Sequence, residues 1–136
     1  MFKIAFKKGY KYQLENDFLV PTSVLPPQHI DTYYIQFKTN GDLLLAKGYA
    51  WDGPSGAPDV PSFMRASLVH DALYQLMRND YLDRDVYRKP ADKLMRQMCI
   101  QDGMNPLLAG IAFGFVRAFG EPHTRVASKK ELLFAP

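Results

Sequence analysis

A single cysteine, Cys99, leaves this 136-residue chain no intramolecular disulfide. Its fold must rest on core burial, and a reducing compartment is the simpler setting. No apolar run reaches the roughly 20 residues that a membrane-crossing helix needs. The longest, residues 106–119, is interrupted by Arg117 near its end. The opening stretch, Met1-Phe-Lys-Ile-Ala-Phe-Lys-Lys8, lacks the apolar core of a secretion signal, so none is expected. There is no phosphate-cradling glycine loop, no serine nucleophile elbow and no internal repeat. Net charge is only +3, and the Lys and Arg residues are scattered rather than blocked. Nucleic acid is therefore not an expected partner.

What is present is the composition of an ordinary globular protein, 47% apolar and 23% charged. The length fits one domain, 1–136: a β part at 1–50, a loop at 51–61, a helical part at 62–120 and a loosely ordered tail at 121–136. Short strands are expected around Lys3–Phe6, Tyr10–Leu14 and Phe18–Val20, and Pro21, Pro26 and Pro27 make residues 21–30 an extended loop. The clearest local signal is a β-hairpin. Residues 32–38 and 43–49 are β-rich, and Asn40-Gly41 between them suits the positive φ angles of a tight turn. The stretch that follows has three glycines and three prolines within residues 48–61, and it carries Asp52 and Asp59.

Three helices are expected next, at about 63–79, 90–102 and 106–119. Ser62 would cap the first, Pro90 would sit in the first turn of the second, and Asn105 with Pro106 would open the third. Gly103 and Gly120 would end the second and third. The fold class is thus α+β, a small antiparallel sheet followed by a three-helix unit. Gly110 and Gly114 in the third helix read as tight core packing.

The first helix holds a chemical puzzle. It is apolar nearly all round, yet it contains His70 and Asp71, with Tyr74 one turn on. Buried polar side chains need partners. Consecutive helical residues diverge by about 100°, so His70 and Asp71 must look to different neighbours. Asp92, near the expected start of the second helix, is the natural partner for His70 if the helices pack antiparallel. A carboxylate on one imidazole nitrogen fixes the tautomer and leaves the other as a general base. Asp71, with Asp52 and carbonyls of the Gly/Pro loop, offers the oxygen ligands that calcium prefers. Such a cation would polarise a carbonyl while His70 activates water.

The order His70-Asp71-x-x-Tyr74 on a helix, then Ala91-Asp92 on a second, resembles phospholipase A2, most of all its disulfide-poor bacterial and parvovirus forms. The resemblance covers residues 62–103. It implies a lipid-ester hydrolase in which His70 is the base, Asp92 and Tyr74 hold it, and Asp71 binds calcium. Phospholipid or a membrane surface would be the partner. The chain departs from that family upstream, where Trp51-Asp-Gly-Pro-Ser-Gly56 stands in place of the glycine-rich calcium loop. A longer pattern covers residues 30–120: a hairpin, Gly48-Tyr-Ala-Trp-Asp-Gly-Pro-Ser-Gly56, Leu68-Val-His-Asp-Ala-Leu-Tyr74, Ala91-Asp92 and Val116-Arg-Ala-Phe-Gly120. It is similar to a small phage and prophage family of unknown function. That likeness implies a protein made in the host cytoplasm, free or built into the phage particle. It also leaves a second reading, a non-enzymatic virion or tail component that keeps a buried His–Asp network and meets other phage structural proteins. An HD-type phosphohydrolase is disfavoured, because its extra upstream histidine would have to be His29, in a Pro-rich stretch.

Overall fold

A computed structural model describes residues 6–7, 12–52 and 60–125. Residues 3–5 and 10–11 of the expected strands, residues 53–59 of the Gly/Pro loop with Asp59, and the tail from 126 lie outside the described residues. The fold is α+β, with antiparallel sheets and three helices. The described residues fall into two compact units, one within residues 1–53 and one within 54–129.

The first unit holds seven short strands. Strands β1 (Phe6–Lys7), β2 (Tyr12–Leu14) and β7 (Ala50–Trp51) form a three-stranded sheet in the order β1-β2-β7. Strands β3 (Phe18–Pro21), β4 (Ile30–Asp31), β5 (Ile35–Phe37) and β6 (Asp42–Leu45) form a four-stranded one, ordered β3-β6-β5-β4. Side chains alternate along these strands. Phe18 and Val20, Ile35 and Phe37, and Leu43 and Leu45 are buried, while Leu19 and Gln36 are exposed. In register, Ile35 faces Leu45 and Phe37 faces Leu43.

The hairpin between β5 and β6 is there, but its turn differs from the expected two-residue one. Lys38 N–H donates to the Asp42 carbonyl and Gly41 N–H to the Lys38 carbonyl, both at 2.9 Å, which closes a three-residue loop. Only Gly41 takes a positive φ there, +95°, while Asn40 instead uses its side chain to accept from Asp42 N–H. Three-residue hairpin loops need one left-handed residue, not two. Thr22 also approaches Gly41 closely, its hydroxyl donating to the Gly41 carbonyl at 2.8 Å.

The second unit is helical. Helix α1 spans Pro61–Arg78, α2 Arg84–Gln101 and α3 Pro106–Phe119, followed by a 3₁₀ turn at Glu121–Thr124. The start of α1 differs from expectation. Val60 is the cap residue and Pro61 takes the first position, so Ser62 lies inside the helix. Proline fits there because a first-turn N–H has no helical partner anyway. At the other end Asp80, at φ 65°, takes the left-handed position that glycine usually fills. Tyr81 N–H then reaches back to the Leu76 carbonyl and Asp80 N–H to the Met77 carbonyl.

Helix α2 begins six residues earlier than expected. Asp83 caps it by accepting from Asp85 N–H at 2.9 Å, and Pro90 lies inside the helix. Proline there removes the N–H that would bond the carbonyl of residue 86. Val86 is exposed, so water can serve that end of the chain. Asp92 is accordingly more than two turns into α2, not in its first turn, and the helix dipole does not act on it as the sequence suggested. Helix α3 matches its expected bounds, with Asn105 accepting from Leu107 N–H at 2.8 Å.

Helix α1 packs on α2 and α2 packs on α3. Arg65 near the start of α1 grips Asp102, the residue just after α2, with two bonds of 3.0 and 3.1 Å. That clamp sets α1 and α2 antiparallel. The core between them holds Leu68, Val69, Leu73, Leu76, Met77, Met95, Met98 and Cys99. The 3₁₀ turn is tied down rather than loose. Arg78 donates to the His123 carbonyl and Arg84 to the Thr124 carbonyl, and Thr124 is fully buried. No described helix is long and apolar enough to cross a membrane.

Candidate active site

His70 and Tyr74 are four residues apart on α1, so they share one face. Their ring centroids are 4.1 Å apart. That face meets the middle of α2, where Asp92 is fully buried. The Asp92 carboxylate uses both oxygens. Oδ1 lies 2.7 Å from His70 Nε2 and accepts from the Tyr74 hydroxyl at 2.6 Å. Oδ2 accepts from Arg117 of α3 at 2.8 Å. Arg88, one turn before Asp92 on α2, lies 3.9 Å from the same oxygen. The three residues expected to form a catalytic set are therefore in contact.

Two arginines complete this network, and both were missed as site residues from sequence. Arg88 Nε donates to the Tyr74 oxygen at 3.2 Å, and its Nη2 reaches the carbonyls of Val116 and Arg117 at 2.7 and 2.8 Å. It therefore fastens the end of α3 to α1 and α2 at once. Its i,i+4 spacing to Asp92 was hidden by the expected late start of α2. Arg117 had a usable signal, being the sole charged residue in residues 106–119. Gly120 has a local reason too. A Cβ there would meet the Val116 carbonyl oxygen at 2.5 Å and the Tyr74 hydroxyl at 2.8 Å.

The electrostatics follow from burial and these partners. Burial alone would make Asp92 hold its proton more tightly. Hydrogen bonds from His70 and Tyr74, the imidazole charge and the Arg117 guanidinium outweigh it and keep Asp92 below the usual carboxylate range. Burial, then the hydrogen bond to Asp92 and its negative charge, push Tyr74 up, so Tyr74 stays a neutral donor. An ionised carboxylate only accepts, so His70 Nε2 carries a proton, and in the neutral ring the lone pair is on Nδ1. Among the described residues, no hydrogen-bond partner reaches Nδ1. The imidazole side chain keeps 13% exposure, so solvent touches the ring although Asp92 is sealed.

The expected calcium ligands stand differently. Asp71 is half-buried on the neighbouring face of α1, and Asp52 follows β7 in the other unit. Among the described residues, no three His, Cys, Asp or Glu side chains gather as a metal site. Calcium takes six to eight oxygens, and Asp71 in the helical unit is not joined there by further acidic ligands of such a group. Residues 53–59 of the loop expected to add carbonyl oxygens lie outside the described residues. Four large side chains of the helical unit that could line an apolar channel divide. Leu82 is buried, Tyr81 and Phe115 are about half exposed, and Arg96 lies over the Phe113 ring at 5.6 Å. Cys99 is buried, and burial pushes its thiol up to about 11, so it is inert as a nucleophile at neutral pH.

Comparison with protein-family models, with curated proteins and with solved structures finds no match to this chain.

Proposed function

We propose that this chain is a phage-encoded hydrolase of phospholipase A2 type, which cleaves a lipid ester with His70 as general base. One observation carries the reading: Asp92 Oδ1 lies 2.7 Å from His70 Nε2 and accepts from Tyr74 at 2.6 Å, which in the neutral imidazole leaves the lone pair on Nδ1. In the reaction, Nδ1 would take a proton from water as that water attacks the ester carbonyl. Asp92, kept ionised, would stabilise the resulting imidazolium and hold the ring in its tautomer. Tyr74 and Arg88 position the carboxylate and do not touch substrate. Arg117 binds the same carboxylate from α3. The assignment to lipid rests on the resemblance of residues 62–103, and the assignment to phage on the pattern of residues 30–120. Calcium at Asp71, as the phospholipase A2 resemblance implies, belongs to the same proposal.

The test is hydrolysis of a fluorescent phospholipid by wild type, His70→Ala and Asp92→Asn, each with added calcium and with a chelator. Turnover is expected in wild type, and His70→Ala should lose about 10²- to 10⁴-fold, the usual worth of a positioned base. A chelator that leaves the rate unchanged would remove the metal from the proposal and keep the base. A folded wild type that turns over nothing in either condition would sink the hydrolase reading. The network would then be a structural brace, and proteomics of purified particles would decide the virion-component alternative.

A further inference from the structure

Helix α3 has a face that the described residues leave open. Leu107, Leu108, Ile111, Phe115 and Phe119 are 46–74% exposed, and Ala109 is the buried residue of the helix. At somewhat under 200 Å² for each fully open side chain, these five expose on the order of 500 Å², the upper range for the largest patch on a monomer. Two such faces together reach the roughly 1,000 Å² that a stable specific interface needs. Exposed residues 107, 111, 114 and 118 also recur at spacings of four, three and four, the seam of a helix that packs along another helix.

The glycines are the second observation. Glycine inside a helix is unfavourable, so it needs a reason. A Cβ at Gly114 would meet nothing within 4 Å, and one at Gly110 would meet only an Arg96 side-chain nitrogen at 3.8 Å. Among the described residues, neither is required by packing, which corrects the expectation of tight core packing. Both make sense if something from outside comes close to the helix backbone.

We infer that α3 is a homodimer interface, in which two copies pair antiparallel through this face. The sequence is complementary to itself in that arrangement. A twofold axis between residues 112 and 113 sets Leu107 against Ala118, Ile111 against Gly114 and Phe115 against Gly110 of the second copy. Each large side chain meets a small one, which is how facing helices interdigitate. A lipid surface is the less suited occupant. Interfacial helices carry several cations to meet lipid headgroups, whereas α3 has one, Arg117, and it is bonded to Asp92. The inference does not depend on the hydrolase reading.

Sedimentation equilibrium of the full chain across a dilution series tests it. Wild type is expected at twice the 15.5 kDa chain mass, falling to the single mass on dilution. Gly114→Ile, which the monomer has room for, should sediment as a single chain with its helical circular dichroism intact. The swap Ile111→Gly with Gly114→Ile should restore the dimer, because each large residue again meets a glycine. A wild type that stays single at every concentration overturns the inference, and so does one that pellets with phosphatidylglycerol vesicles while remaining single. An unchanged dimer in Gly114→Ile, or no recovery in the swap, overturns the antiparallel pairing.

Discussion

Helices α2 and α3 invert the usual relation between polarity and burial. Helix α2 is rich in charge, yet it encloses Asp92 completely. Helix α3 is the most apolar of the three, yet five of its large apolar side chains face outward. The difference lies in partners, not in composition. Asp92 goes inside because His70, Tyr74 and Arg117 satisfy its oxygens. The α3 side chains stay outside because nothing among the described residues covers them. A buried carboxylate and an open leucine are both informative where a buried leucine is not.

The largest effect should come from emptying the closed side of that contrast. Asp92→Ala would leave the Tyr74 hydroxyl proton without its acceptor in a buried site and release both Arg117 and His70. Breaking a buried ionic network from one side typically costs 3–5 kcal/mol. Urea unfolding should show a loss of about that size in a chain whose total stability is expected at roughly 5–15 kcal/mol. A loss below about 1 kcal/mol would mean that the network is not what holds α1, α2 and α3 together.

How much of this was legible in sequence depends on what each element answers to. Helix α3 was bounded correctly because Asn105, Pro106 and Gly120 are local signals read by the backbone itself. The partnership of His70, Tyr74 and Asp92 was legible because a polar residue in an apolar helix demands a partner and few were on offer. The start of α2 was not, since Pro90 is a strong local signal for a helix start and tertiary packing overrode it. The exposure of α3 was not legible either. Hydrophobicity says that a face wants cover but not whether its own chain supplies it. Arg88 was lost with the start of α2, which hid its i,i+4 spacing to Asp92, and Gly120 meets Tyr74 through a contact between elements that no spacing announces.

Tyr74→Phe sharpens the contrast by removing one bond and keeping the ring. A hydrogen bond to a charged group contributes about 1.5–3 kcal/mol, so that loss is expected in chemical unfolding. Acid should reveal the carboxylate it supports. Folded Asp92 binds a proton less readily than the same residue in the unfolded chain. Its stabilisation is thus complete above the ordinary carboxylate value of about 4, and is lost as pH falls from there through the lowered folded value. Melting curves of wild type should drop in that window more steeply than those of Asp92→Asn. Parallel acid profiles would show that Asp92 is not held ionised by its neighbours.

Two glycines at the C-terminal half of α3 make the finest comparison. Gly120 is closed in, and Gly120→Ala would press a methyl on the Val116 carbonyl and the Tyr74 hydroxyl. Overpacking of this kind costs about 1–3 kcal/mol. Gly114 is open, with nothing within 4 Å of an added Cβ. There, Gly114→Ala should stabilise the single chain by about 0.5–1 kcal/mol, the ordinary helix preference for alanine over glycine. The measurement is thermal unfolding at dilutions where the chain is monomeric, and the two substitutions should shift the melting temperature in opposite directions. The same methyl at Gly114 should weaken self-association at higher concentration, because a partner helix fills the space that the single chain leaves empty. A residue that improves its own helix while it harms assembly is selected by the assembly. If Gly114→Ala instead strengthened both, the glycine would have no role in the open face, and the contrast between the two helices would rest on Asp92 alone.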